Sequence, residues 1–474
     1  MENIKNQKKF NPLIMLKIAF IGAGSLVFGQ NLLTDITTFP ALQKDTIICL
    51  EDLDSHRLDL MFNYMQKYKD NYSQELERIT FEKTTNQKKA IEDAKYIINT
   101  VHIGGLEAFK LDVEIPFKYG VSQTVGDTLG PGGIFRFLRT TPFFKSLLED
   151  IQEIGYNVGN NGIKPLLLNY TNPMAMNTWY CNSLVPDSTV GLCHGVQATA
   201  AILRGCIGVK PEEFSFLCAG INHMAWFLEV WYKDSNKSNS TWQNAYPLIM
   251  KAIQDNPNLI ELDKVRYDMM KATGGYFMTE SSGHLSEYLP YYRKRTELLE
   301  KFKSNLHWLS NLEQASDYNQ QIIFQGKIDK NFQRKLKRKK LPYKEKPSGE
   351  YASHIINAME TNKPFRFNGN VINKEMGLIT NLPKECCVEV PVFADSHGIH
   401  PQGGITLPTI CQALCISNIM VQKAAVEGAL ELDREKIYQA VLLDPNTASV
   451  CSPEEIRIMV DEMFEAEAKW LPQF

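Results

Sequence analysis

The sequence has no Cys-x-x-Cys pair, no internal repeat, no low-complexity tract and no marked excess of either charge. It also has no unbroken apolar run of the about 18 residues that a membrane helix needs. Each absence excludes something. The ten cysteines (Cys49, Cys181, Cys193, Cys206, Cys218, Cys386, Cys387, Cys411, Cys415 and Cys451) lack the local spacing of a zinc ribbon or a redox pair. Scattered in a chain this large, they read as reduced thiols used mostly as small buried hydrophobes. A formal net charge of -3 removes the electrostatic footprint of a nucleic-acid binder. The apolar stretch from Leu13 to Ile21 is interrupted by Lys17 and ends in glycines, so it reads as a core strand and not as a signal peptide. A cytoplasmic protein with no nucleic-acid or membrane partner is the expectation. Residues 1–11 are polar and lysine-rich, so residues 1–16 are expected to form an N-terminal arm.

What is present is an ordinary globular composition, 44% hydrophobic and 22% charged, spread over 474 residues. That length predicts two domains. Strands are predicted at 16–21, 46–50, 96–101, 166–170 and 190–193, with helical spacing at about 29–38 and 56–70. Strands alternating with helices predict a parallel, doubly wound sheet. The alternation is lost from about 191; residues 214–233 then look like sheet and 412–441 helical. The predicted fold class is α/β, with an N-terminal Rossmann-like doubly wound parallel sheet over 17–192 and a C-terminal mixed α+β domain over 193–474. The basic stretch from Phe332 to Lys340 reads as a solvated helix or loop.

Several short segments carry chemistry. Gly22-Ala-Gly24-Ser25-Leu-Val27 follows the first strand as a dinucleotide turn does, although Val27 stands where a third glycine is usual. Asp52 lies at the end of the second strand, where a carboxylate holds ribose hydroxyls and repels a 2′-phosphate, so NAD is favoured over NADP. The 28 residues from Gly24 to Asp52 exceed the usual ~20 and imply a longer first helix or connection. Cys193 and His223 are a soft thiol and an imidazole, types that suit a transition metal. His194 follows the first and Asn222 precedes the second, and polar pairs inside apolar strands need partners. Asn169-Tyr-Thr-Asn172-Pro173 ends a strand on the side where ligands bind in such sheets. Gly126-Asp127-Thr-Leu-Gly-Pro-Gly-Gly133 is rich enough in glycine to predict a loop that approaches a ligand. Thr279-Glu280-Ser281-Ser282-Gly-His284, followed by Glu287-Tyr288, is a second polar cluster.

Taken in order, these blocks resemble glycoside hydrolase family 4, and within it the alpha-galactosidases. The resemblance runs from about Lys17 to Pro472. It implies an NAD- and divalent-metal-dependent glycosidase of small alpha-galactosides, with manganese the usual metal. Such an enzyme oxidises the sugar at C3, removes the C2 proton, eliminates the leaving group, adds water and re-reduces C3. The family is a known exception to two-carboxylate glycoside hydrolysis. By position, the resemblance makes Gly22, Gly24, Ser25 and Asp52 cofactor residues and Cys193 and His223 metal ligands. Asn172 and Asp127 become substrate-binding and catalytic residues, and His194 the acid on the leaving group. It implies a small oligosaccharide substrate and a homodimer or homotetramer.

Two positions depart from the family pattern. Glycine at 195 replaces the serine of the family's alpha-galactosidases and occurs in other alpha-specific members, so the sugar stays open. The segment that carries the C2 base, 275–284, offers Glu280, Ser281, Ser282 and His284. The base is left unassigned, with His284 a candidate for sugar binding or proton transfer. The alternatives are an alpha-galacturonidase or alpha-glucuronidase, with Arg136, Arg139 or Arg293 as the cation for a uronate. A 2-hydroxyacid dehydrogenase and a non-enzymatic sugar sensor are more distant readings.

Overall fold

The computed structural model describes residues 15–26, 28–154, 164–234, 240–303, 318–374 and 377–474. The N-terminal arm up to residue 14, and Val27 of the glycine turn, lie outside these. Leu16–Ile21 (β1) is the seed of the sheet, with its last four residues buried. A strand covered on both faces reads as a continuous apolar run, as this one does. Thr46–Glu51 (β2) and Tyr96–Asn99 (β4) flank it in parallel, and Ile79–Thr84 (β3) pairs with β2 at the edge. Leu166–Asn169 (β5) and Thr189–Gly191 (β6) complete six parallel strands in the order β3-β2-β1-β4-β5-β6. This is the strand order of dinucleotide-binding sheets. β3 was not among the predicted strands. Its burial alternates only over its first four residues before running out into solvent, as an edge strand's does.

The sheet does not stop at β6. Phe365–Ile372 (β11) joins it antiparallel, with Asn370 opposite Gly191. Cys387–Asp395 (β12) follows, then Phe214–Ile221 (β7), Met224–Tyr232 (β8) and the short Phe277–Met278 (β10). Gln243–Asn244 (β9) and Gly398–Pro401 (β13) pair at the side. Thirteen strands from both halves of the chain thus form one sheet. Gly191 makes the junction possible. A Cβ there would stand 3.0 Å from Asn370 Cβ on β11 and would run into Met174 Sδ and Thr178 Oγ1 of the helix Met174–Leu184.

One expectation about elements needs correction, and a second holds with a break. Gly126–Gly133 is not wholly a loop, because a helix begins at Gly130 and runs to Ile154. Its first glycines are buried, and close packing there overrides their poor helix propensity. The region 412–441 is two helices, Thr409–Glu431 and Arg434–Leu443, parted at Leu432 with φ +56°. Thr409–Glu431 is long and apolar enough to cross a membrane by length and composition, but half of that window is buried and the helix packs on β7 and its neighbours. The basic stretch ends the helix Tyr318–Lys337, which lies across the first half of the chain. Phe332 packs on Tyr64, and Lys335 donates to Gln30 Oε1 at 2.8 Å.

Candidate functional site

The turn after β1 shapes the first part of the site. Gly22 takes φ +80° and a Cβ on it would lie 2.8 Å from Val101 N, so only glycine lets the turn pass the end of β4. Its N–H and that of Ala23 donate to the Glu51 carbonyl at 3.0 and 2.9 Å. Gly24 N–H donates to Asp52 Oδ2 at 2.7 Å, Asp54 N–H to Asp52 Oδ1 at 2.8 Å, and Arg57 Nε to the Gly24 carbonyl at 2.9 Å. Asp52 therefore ties the glycine turn to the end of β2. Each of its oxygens keeps a second lone pair. The cleft these groups line, with Ser25 and Thr100–Ile103, encloses about 590 Å³. Glu51 and Arg57 also line it and were not singled out from sequence, although Glu51 stands beside Asp52 at the strand end. Burial, then the Asp52 charge, pushes the Glu51 carboxyl up to about 7.

The second part lies at the ends of β5, β7 and β8. Asn172 Nδ2 donates to Asp127 Oδ2 at 2.9 Å, and Arg136 Nε to the Asn172 carbonyl at 3.2 Å. Arg136 approaches Asp127 at 3.9 Å, and His284 Nε2 stands 3.7 Å from Asp127 Oδ1. That oxygen is buried without a hydrogen bond. Burial pushes the Asp127 carboxyl up, but His284, Arg136 and the Asn172 amide more than offset this and hold it well below the usual range. His284 Nδ1 is 3.6 Å from Glu280 Oε1. Although burial works against the charged ring, Asp127 and Glu280 lift His284 to about 9.

Cys193, His223 and Glu280 converge beside this network, with one ligand atom of each within 4.8 Å of the others. His223 Nε2 is 3.6 Å and Cys193 Sγ 3.9 Å from Glu280 Oε2. His223 occupies the two-residue turn between β7 and β8 at φ +63°, and Glu280 has φ +70°. Left-handed backbone at two non-glycine residues is sparsely populated and concentrates at functional sites. Burial, then Glu280, pushes the Cys193 thiol well up. Burial also lowers His223 to about 4, while Glu280 is held near 2 because the three histidines around it outweigh its burial. A neutral imidazole, a thiol and an ionised carboxylate are the donor set of a borderline-soft divalent ion, and such an ion would select the thiolate. The residues fit a metal.

Sequence reasoning paired Cys193 with His223 and gave no role to Glu280. Two further acids were missed. Glu389 lies buried in β12, with Oε1 lacking a partner, and burial followed by Glu280 pushes it up to about 8. The signal was an acid inside the apolar run Val388-Glu-Val390. Glu350 Oε1 stands 3.6 Å from His194 Nδ1, and no local signal marked it. His194 is not among the clustered donors. Its side chain is 62% exposed at the start of the helix Gly195–Ile207.

Family models match most of the chain. Residues 17–209 match the model for family 4 glycosyl hydrolases, and residues 218–447 match that for the family 4 glycosyl hydrolase C-terminal domain. The chain is a family 4 glycosyl hydrolase. This family 4 chain is 40% identical to an alpha-galactosidase of Rhizobium meliloti (strain 1021) over 97% of its own length and 89% of that protein's. It is 36% identical to an alpha-galactosidase of Bacillus subtilis (strain 168), over 97% and 100%. In fold it is similar to a 6-phospho-alpha-glucosidase from gut microorganisms solved with NAD and Mn2+, with a TM-score of 0.75 at 19% identity, covering 97% of this chain and 100% of that one.

Proposed function

We propose that this family 4 hydrolase is an NAD- and divalent-metal-dependent alpha-galactosidase of small alpha-galactosides. The observation that carries the reading is the meeting of Cys193, His223 and Glu280 with the Asn172–Asp127–His284 network in one site. When bound, NAD would supply a reversible hydride acceptor and a divalent metal such as manganese would supply stabilisation of negative charge on substrate oxygen. Gly22, Gly24, Ser25 and Asp52 would hold the cofactor, and Asp52 at the end of β2 would repel a 2′-phosphate. Cys193 and His223, with Glu280 as a third donor, hold the metal. Asp127, ionised and with one oxygen unpartnered, accepts a sugar hydroxyl proton, and Asn172 orients it. The C2 base stays unassigned, with His284 a candidate for sugar binding or proton transfer, and His194, beside Glu350, delivers a proton to the leaving oxygen.

Of the cations considered for a uronate, Arg139 is bound to Asp112 and Glu467, and Arg293 to Ser122, Thr124 and Ser286. Arg136 gives its Nε to the Asn172 carbonyl and lies 3.9 Å from Asp127. The preference for a neutral galactoside over a galacturonide is supported by the likeness to two alpha-galactosidases. We further infer a division of labour near residue 192, with cofactor binding before it and metal binding after it, a cytoplasmic location, and a homodimer or homotetramer. Sedimentation would test the last.

The deciding experiment incubates the protein with NAD, Mn2+, a thiol and p-nitrophenyl alpha-galactoside in deuterated water and reads the released sugar by NMR. Galactose carrying deuterium at C2 is expected. Cleavage of the galacturonide alone would move the substrate to a uronate, and no cleavage of any alpha-glycoside would overturn the function.

A further inference from the structure

Asp127 follows a turn, Thr124–Gly126, that is held from behind. The Glu287 carboxylate accepts the N–H of Thr124 and of Val125 (2.7 Å) on one oxygen, and that of Gly126 on the other at 3.1 Å. Three successive backbone N–H groups converging on one anion form a nest. Gly126 takes φ +62°, a conformation glycine adopts without cost, and a Cβ on it would meet Gln123 Nε2 at 2.7 Å. Glu287 is 3% exposed, and both its oxygens are turned to the backbone of this turn. Behind it, Arg293 donates to the Ser122 carbonyl at 2.7 Å and to Thr124 Oγ1 at 2.8 Å, so a buried cation braces the same turn.

Glu287 also shares the short helix Ser282–Glu287 with His284. His284 faces Asp127 from one turn of that helix while Glu287 grips the backbone just before Asp127. One element therefore sets both the position of Asp127 and that of the imidazole opposite it. Asn172 contacts Asp127 from a different strand end, so it alone does not define where the carboxylate stands.

We propose that Glu287 is a positioning residue. By gripping three backbone N–H groups it places Asp127 against Asn172 and His284, and it thereby sets sugar affinity. The inference rests on the sugar-binding role given above to Asp127, but the grip is measurable without any sugar.

The test is Glu287→Gln in the full chain. Glutamine keeps the size but turns an N–H donor toward a backbone donor. Amide hydrogen exchange at Thr124–Gly126 is expected to speed up by about tenfold or more, as local opening becomes easier. KM for the galactoside is expected to rise by about tenfold with kcat changed by less than about threefold, the pattern of lost ground-state binding. NAD affinity should stay at the wild-type value. Glu287→Asp, which keeps the charge but shortens the reach, should show the same split. It also serves as the readout if the glutamine variant does not fold. Because Glu287 acts through Asp127, its effect on KM should largely vanish in an Asp127→Asn background. Unchanged exchange at Thr124–Gly126, or KM effects that add fully with Asp127→Asn, overturns the proposal. A wild-type protein inactive on galactosides overturns the functional reading alone, because the exchange measurement still decides the grip.

Discussion

Gly195 is the residue whose smallness is easiest to connect to chemistry. A Cβ there would lie 2.5 Å from Glu280 Oε2 and 3.6 Å from Cys193 Sγ. Glycine thus leaves the volume that the third donor fills. Gly195→Ala is expected to displace the Glu280 carboxylate and weaken Mn2+ binding by about tenfold to a hundredfold, the range seen when support of a metal site is lost. Titration followed by the EPR signal of free Mn2+ checks this, and wild-type affinity would remove Glu280 from the ligand set. Glu51 offers a pH test in the cofactor cleft. Its carboxyl ionises near 4.5 in the unfolded chain and near 7 when folded, because burial disfavours the charge. Between those values the folded state holds the extra proton, so this group's contribution to stability is full below about 4.5 and is lost as pH rises to 7. Glu51→Gln is expected to flatten the fall in melting temperature between pH 5 and 7 for protein without added NAD. Parallel curves for the two proteins would show that Glu51 is not so perturbed. At this scale the sequence revealed Cys193 and His223 because each has a polar neighbour at the end of an apolar run, although the structure puts Cys193 just past β6 and His223 in the turn between β7 and β8. Glu350 was illegible, since its partner lies far away in the chain, and Glu389 was marked only by standing inside the apolar run from Val388 to Val390.

Elements were legible where apolar periodicity was strong and misread where packing overrode propensity. β1, β2, β4 and β5 fall where hydrophobic runs end in polar or glycine residues. The helix from Gly130 was read as loop because glycine is a poor helix former. Its glycines are there for close approach. A Cβ on Gly132 would stand 2.7 Å from the Asp112 carbonyl oxygen and 2.8 Å from that of Gly126. These are backbone atoms that cannot swing aside. Gly132→Ala is therefore expected to cost about 1–3 kcal/mol, the range for overpacking. Because Gly126 adjoins Asp127, galactoside KM should rise as well. Thermal unfolding and steady-state kinetics check the two effects, and an unchanged melting temperature would mean the backbone yields there.

At the scale of the whole molecule, the C-terminal half is joined to the first by a shared sheet and by a buried ionic knot. Arg139 donates to both Asp112 oxygens at 2.7 and 2.6 Å and to Glu467 at 2.9 Å, and all three side chains are fully buried. Glu467 lies just beyond the helix Pro453–Ala466, so the knot pins the end of the chain to the helices that flank the cofactor cleft. Removing the cation leaves two buried carboxyls facing each other. Arg139→Met is expected to cost about 3–5 kcal/mol, as breaking a buried pair does. A urea unfolding curve measures this. A midpoint equal to wild type would show that the acids neutralise at no cost.

The sequence by itself determined the parallel half, the glycine turn and the residue types gathered in the candidate metal and sugar site, because each of these is written in local pattern: a run of apolar residues, a turn, a polar pair. It also determined the family, through blocks that recur in order. Tertiary structure alone decided that both halves share one sheet, that Glu280 joins Cys193 and His223, and that Glu287 holds the turn before Asp127. These depend on contacts between residues far apart in the chain, 87 positions for Cys193 and Glu280 and 161 for Gly126 and Glu287. Such contacts are set by packing in three dimensions, and no periodicity along the chain encodes them.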